Sequence, residues 1–304
     1  MECKVKTTPN YQHLKFEKIG EGFVFIEGPV WNPREKNLTF SDIYGNIMRR
    51  WSPERGVEVI RDPSGKSNGN ALDHQGRLIT CEHISRTLTR TEHDGSITTL
   101  ASHYDGKHLN SPNDVIVKSD GSIYFTDPRS GIESDKAGII RKPDLDFCGV
   151  YRLEPETKEL TLLVEFPKPN GLAFSPDESL LYINDTKMSH IRVFDVKTDG
   201  TLTNDRLFTD VISELGAEAD KDMAGKPDGM KVDVEGNVYC SGPGPAIYVY
   251  NPDATLQGVI ASPNGDRTAN FAWGDDDWKT LYVCASTELY RVRMNIPGIP
   301  SMPV

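Results

Sequence analysis

Six stretches of this chain align without gaps over nine positions, and this repetition constrains the fold more than any other feature. They are EGPVWNPRE from Glu27, NGNALDHQG from Asn68, NDVIVKSDG from Asn113, NGLAFSPDE from Asn170, DGMKVDVEG from Asp228 and NFAWGDDDW from Asn270. Successive starts are 41, 45, 57, 58 and 42 residues apart. Each opens on Glu, Asn or Asp, runs through a short apolar stretch and reaches a polar turn. A second apolar run follows: NLTFSD, RLITCE, SIYFTD, LLYIND, NVYCSG and TLYVCA. Two such runs about a Gly/Asp turn are the signature of a β-hairpin. The remainder of each unit adds two more strands, except the last, where TELYRVRM leaves one outer strand missing. The N-terminal FEKIGEGFVF can supply it and close a ring.

Four strands repeated six times predict an all-β six-bladed β-propeller, in which radial repetition protects the sheet edges. The prediction is a single domain over residues 1–304, with blades starting near 27, 68, 113, 170, 228 and 270. Helical periodicity is nearly absent, and residues 211–223 make at best one short helix. Two long units mark insertions: DPRSGIESDKAGIIRKPDLDF after Asp127, and the segment before Lys226. Asp42, Glu82, Asp127 and Asp185 each end a second strand and read as structural turn formers, at the rim opposite the repeat starts or at channel depth. The run Asp275–Asp277 reads as a solvated hairpin turn and not a second calcium site, since it lacks the spacing of a calcium loop.

Composition narrows the function classes. The chain has 304 residues, with 45 acidic and 34 basic side chains and a net charge of −11. Its negative field repels polyanions, which argues against nucleic acid or an anionic membrane as partner. No apolar run is long enough to span a bilayer, and the first residues lack a signal peptide's apolar stretch. Five cysteines cannot all pair internally, and none forms a C-x-x-C site. Cys81, Cys240 and Cys284 sit in apolar runs as small hydrophobes. The chain is therefore expected in a reducing compartment, most simply the cytoplasm, as a monomer or homodimer.

In a propeller the first strand of each blade lines the channel and starts at one mouth. Glu27, Asn68, Asn113, Asn170, Asp228 and Asn270 should then form a ring of oxygen-bearing side chains. Carboxylates and amides suit a hard divalent cation such as calcium or magnesium, so a metal site in the central channel is expected. Histidine never occupies the register, which disfavours an ordinary zinc site. Among the histidines only His83, just past the LITC run, lies near the ring; the others fall in polar turns or outer strands.

The residues around these positions resemble the senescence-marker-protein-30/gluconolactonase family, the regucalcin-like lactonases. The matching motifs are EGPVW at 27–31, LITCEH at 78–83, LNSPNDV at 109–115, DGSIYFTDP at 120–128, PNGLAFSPDE at 169–178 and KPDGMKVD at 226–233. LDFCGVYRL at 145–153 is similar to the bacterial gluconolactonase-type branch. The resemblance implies one divalent metal held by Glu27, Asn170 and Asp228, with Asn113 contacting metal, water or substrate. Calcium is the leading ion, with Zn2+, Mg2+, Mn2+ or Fe2+ as alternatives. It further implies hydrolysis of a sugar lactone, with Asp228 either taking the proton of the attacking water or only orienting it. The animal branch carries an arginine two residues before the third-blade asparagine, where this chain has Ser111. Substrate contacts are therefore expected from Asn113, Ser111, His83, Arg129 and Glu133. An organophosphate or aryl-ester hydrolase on the same metal, and a non-catalytic propeller binding a protein, are the competing readings. No G-x-S-x-G elbow supports a serine hydrolase.

Overall fold

The computed structural model describes residues 7–211 and 226–302. The segment 212–225, which holds most of the stretch read as one short helix, lies outside them. Six four-stranded antiparallel sheets stand around a central axis. Their innermost strands are Ile26–Asn32, Ser67–Leu72, Val115–Val117, Pro169–Phe174, Met230–Val232 and Thr268–Gly274. Each contacts the innermost strand of the next blade, and the sixth returns to the first. The strand Glu17–Glu21 pairs antiparallel with Glu288–Arg293, so one sheet holds both an early and a late piece of chain. That pairing closes the ring, because opening it would expose the edge of the sixth blade to water.

The inner strands are buried almost throughout, Ile26–Asn32 and Thr268–Gly274 at every residue. Hydrophobic clusters fill the wedges between blades: Trp31, Trp51, Tyr282 and Trp273 join the first and last, with Trp31 stacked on Tyr282 at 5.4 Å. Cys81, Cys240 and Cys284 are fully buried among these residues, as small apolar fillers.

A repeated hydrogen bond ties neighbouring blades at the mouth where the repeats start. Ser41 Oγ donates to the Asn68 carbonyl at 2.7 Å, and Gly69 N to the Asn113 carbonyl at 2.8 Å. Thr126 Oγ1 donates to the Asn170 carbonyl at 2.8 Å, and Gly171 N to the Asp228 carbonyl at 3.0 Å. Gly229 N and Ser241 Oγ both reach the Ala269 carbonyl, at 2.9 and 2.8 Å. Asn68, Asn113, Asn170 and Asp228 are thus locked through their own carbonyls to the blade before them, and Asn270 through the carbonyl of its neighbour Ala269.

Such close approach explains why glycine follows the register residue in four blades. A Cβ on Gly28 would lie 2.0 Å from the Asn68 carbonyl oxygen, and one on Gly171 2.3 Å from that of Asp228. Both distances are far inside van der Waals contact. The two blades that break the pattern carry Asp114 and Phe271.

One sequence expectation needs correction. Asp42, Glu82 and Asp185 pair in register with Ile26, Ser67 and Pro169, beside the ring residues. They lie at the ring end of the channel, not the opposite rim, because an antiparallel second strand ends where the first begins. Their role is structural. Asp42 accepts the Phe25 N–H at 3.0 Å, Asp127 those of Asn110 and Ser111 at 2.7 Å each, and Asp185 that of Lys168 at 3.0 Å. Each clamps the loop that enters an inner strand. Glu82 instead binds Arg61 at 2.7 Å.

Gly28 also has φ +55, so Gly28→Ala combines overlap with left-handed strain and should cost about 3 kcal/mol. Gly56, with φ +67 and nothing within 4 Å of its missing Cβ, should cost only about 1 kcal/mol on the same change. Urea unfolding of both variants checks this, and equal losses would refute the role assigned to blade contact.

Candidate active site

All six register residues are buried: Glu27, Asn68, Asn113, Asn170, Asp228 and Asn270 are each less than a tenth exposed. What separates them is which end of each side chain the protein uses.

His83 Nδ1 lies 2.9 Å from the Ala137 carbonyl, which can only accept. That nitrogen therefore carries the proton, and Nε2 is an acceptor. The Asn68 amide nitrogen, 3.3 Å away, donates to it. Burial pushes the His83 pKa down to about 4, with Lys66 adding to the effect, so the ring is neutral at pH 7. Asn170 follows the same logic. Thr186 Oγ1 gives its proton to the Pro227 carbonyl at 2.8 Å and accepts the Asn170 amide nitrogen at 3.0 Å. Both asparagines have their nitrogen ends tied and their Oδ1 atoms unused by any described residue.

Asn270 is the reverse. Its Nδ2 donates to Glu27 Oε2 at 2.9 Å, while its Oδ1 accepts Phe271 N at 2.9 Å and Lys231 Nζ at 3.3 Å. It is spent as a brace for Glu27. Glu27 Oε2 also accepts Gly28 N at 2.5 Å, which leaves Oε1 free. Asp228 pairs through Oδ2 with Arg267, leaving Oδ1. The Asn113 amide makes no hydrogen bond with a described side chain.

The free atoms are thus oxygens from Glu27, Asp228, Asn170 and Asn68, with the Asn113 amide beside them. This donor set fits a hard cation. Electrostatics agree: burial, then Asp228, then Asp114 push the Glu27 carboxyl well above its usual range. A dication offsets that burden, whereas two bare carboxylates repel. Among the described residues no three His, Cys, Asp or Glu side chains cluster as a metal site; the fit rests on carboxylates plus amides.

The substrate candidates separate as well. Ser111 Oγ donates to the Pro128 carbonyl at 2.5 Å and accepts Gly131 N at 2.9 Å. It anchors the loop 128–147, as does His83 through Ala137. Arg129 donates to Leu145 O at 2.9 Å within the same loop, and Glu133 is exposed. Ser111 and Arg129 thus hydrogen-bond within or onto the loop, His83 bridges the loop and Asn68, and Asn113 keeps its amide free at the ring.

Three participants were not singled out by sequence. Asp114, buried, has Oδ2 unpartnered by hydrogen bonds and 3.9 Å from Lys231 Nζ. Its signal was available: it stands where four other blades have glycine. Lys231 braces Asn270, and Arg267 covers Asp228. Nothing in the local pattern distinguishes Arg267, three residues ahead of the sixth register position.

A cavity of about 500 Å3 fills the other end of the channel. Trp31, Leu72, Phe174 and Trp273 line it, and the tail Ile299–Met302 lies against it. It holds none of the ring oxygens, so the chemistry belongs to the ring mouth.

Residues 25–287 match the family model described as SMP-30/Gluconolactonase/LRE-like region. The chain belongs to this family. It is 32% identical over 298 residues to a gluconolactonase from Zymomonas mobilis, covering 93% of this chain and 82% of that one. A pentonolactonase from Haloferax volcanii is 24% identical over 84% of this chain and 80% of its own. Among solved structures, a gluconolactonase from Xanthomonas campestris superposes with a TM-score of 0.84 at 34% identity, covering 94% and 90% of the two chains. A calcium-binding regucalcin from Agrobacterium tumefaciens reaches 0.77 at 17% identity, over 94% and 96%, which speaks to the fold alone.

The neutral, buried His83 has a stability consequence within this family member. Its folded pKa is about 4 against a usual 6.5. The unfolded chain therefore takes up the proton first, and stability falls as pH drops from about 6.5 to 4. The full contribution is about 3 kcal/mol. Asp127, pushed by burial up to about 7, acts in the opposite direction, so the comparison must be between proteins. Wild type should lose stability relative to His83→Asn across that window in denaturant titrations; a constant difference would show that folding leaves the His83 pKa unshifted.

Proposed function

We propose that this protein hydrolyses a sugar lactone, of the aldono-1,5-lactone class, to the open-chain acid with the help of one divalent cation. The single observation that carries the reading is the ring itself: buried Glu27 and Asp228, each with one carboxylate oxygen unused, beside Asn68 and Asn170, whose amide nitrogens are tied back and whose oxygens are left free. A protein-binding propeller has no use for that arrangement inside its channel. The names of the relatives, a gluconolactonase and a pentonolactonase, support the substrate class. An organophosphate or aryl-ester substrate has no comparable support.

Glu27, Asn170 and Asp228 would hold the ion, with Asn113 at its edge, and calcium is the ion that oxygen donors of this kind favour. The bound ion would act as a Lewis acid toward the lactone carbonyl, drawing charge onto its oxygen. A lactone ester is locked cis, and ring opening relieves that geometry, so little further activation is required.

The chain's own residues supply the rest. Asn270 and Gly28 N–H hold Glu27 Oε2, so the carboxylate presents one fixed oxygen. Thr186 and His83 fix the amide faces of Asn170 and Asn68. Asn113 has both amide ends free to meet substrate hydroxyls or the attacking water. Asp228 Oδ1 is the carboxylate oxygen positioned to orient that water or accept its proton. These groups are set before substrate arrives, so no reorganisation is needed during the reaction. The loop 128–147, tied down through Ser111 and His83, walls one side of the mouth.

Hydrolysis of glucono-1,5-lactone followed by pH-stat tests the reading. Activity should fall at least about a hundredfold on chelation and return with added Ca2+, and Asp228→Ala should lose a similar factor. Chelator-insensitive turnover, or full activity in Asp228→Ala, would exclude the mechanism.

A further inference from the structure

The charges around the ring are not only negative. Two cations of this chain face its carboxylates. Lys231 sits deeper, 3.9 Å from Asp114 and 3.3 Å from the Asn270 amide oxygen. Arg267 lies at the mouth and pairs with Asp228. The largest single influence on its guanidinium is the Asp228 carboxylate, with Glu27 adding to it.

Arg267, about a third exposed, is held differently from Arg86, which is buried. Arg86 is fixed by the carbonyls of Leu109, Asn110 and His108 and by Asp144. The Arg267 guanidinium has Asp228 as its only hydrogen-bonded partner among the described residues, and its buried Nε has none. Its guanidinium rests over the Phe25 ring, 5.4 Å from the centroid. Phe25 in turn stacks on Tyr44 at 4.8 Å. The side chain is about a third exposed, whereas that of Asp228 is 7% exposed. The arginine therefore covers the carboxylate from the solvent side, on an aromatic surface that holds a cation without fixing its position.

We infer that Arg267 is a resident counter-cation that competes with the divalent ion for Asp228. This rests on the metal reading above and goes beyond it. With no dication bound, the guanidinium neutralises Asp228 and shields Glu27 from it. A dication entering the ring must take Asp228 against that attraction and tolerate a positive neighbour. Arg267 is thus a positioning residue that keeps the carboxylates folded and ready, at the expense of metal affinity. The site becomes one that loads and releases its ion instead of trapping it. Phe25 and Tyr44 provide the surface along which the displaced guanidinium stays in contact with the mouth.

Calorimetric titration with Ca2+ and thermal unfolding, both on chelator-stripped protein, test this without recourse to activity. Arg267→Met keeps a stem over Phe25 and removes the charge. It should bind Ca2+ at least tenfold more tightly than wild type, and its chelated form should unfold at lower temperature. Its stabilisation by saturating Ca2+ should be correspondingly larger. Arg267→Lys, which restores a cation, should return affinity and chelated stability toward wild type. Unchanged or weaker Ca2+ binding by Arg267→Met overturns the inference, as does an equal loss of stability in the chelated and loaded forms, which marks a purely structural arginine. If wild type itself binds neither Ca2+, Mg2+ nor Zn2+, the metal reading fails and the inference with it.

Discussion

The site depends on the contact that each blade makes with the next at one end of the channel. A carbonyl of one blade's entry segment accepts hydrogen bonds from the preceding blade, and the glycine after the register residue lets the strands approach that closely. Gly28 against the Asn68 carbonyl and Gly171 against the Asp228 carbonyl are the tightest cases. Because the main chain is fixed in this way, the register side chains have little freedom left, and their burial follows. The ring of register residues is a by-product of how the propeller closes. Its precision comes from main-chain hydrogen bonding and does not need a metal to create it.

Burial then decides the electrostatics. A carboxylate excluded from water requires positive charge or N–H donors nearby. The structure answers differently at each acid. Asp42, Asp127 and Asp185 take backbone N–H groups and become clamps. Asp114 faces an ammonium. Glu27 takes one N–H and one amide on a single oxygen and is pushed toward protonation by its burial first, then by Asp228 and Asp114. The acids that read alike in the chain are thus sorted into structural and chemical classes by the donors around them, and only Glu27 and Asp228 remain with an oxygen to offer at the ring.

The blade pattern and the ring positions were legible in the sequence because both follow from periodicity. A polar residue recurring at the head of an apolar strand must sit at one level of a radial fold. What was not legible was the direction of each amide. Asn170 and Asn270 occupy equivalent positions and look interchangeable, yet one has its nitrogen tied to Thr186 and the other has its oxygen consumed by Lys231 and Phe271 N. Thr186 and Lys231 lie 16 and 39 positions from the asparagines they meet, and no local pattern encodes them. The placement of Asp42 and its equivalents failed for a simpler reason: strand direction was left out, and an antiparallel return brings the end of the second strand to the start of the first. Arg267 escaped because a lone arginine in a turn carries no periodic mark, and its meaning arises only from the carboxylate it meets.

The two ends of the channel make the same point about what a site requires. The cavity of about 500 Å3 beyond the ring is lined largely by apolar side chains, and by size alone it would be a natural place to seat a ligand. Its walls come from the later residues of the inner strands, where side chains were selected for packing, and Ser301 and Met302 of the tail settle there against Trp31, Val30 and Leu72. The ring mouth instead holds oxygens of Glu27, Asp228, Asn170 and Asn68 that no described residue uses. Hydrolysis of an ester needs polarised charge at a defined point more than it needs volume. The geometry that ties nitrogens back and leaves oxygens forward supplies that point, and the acidic net charge of the whole chain has no part in it.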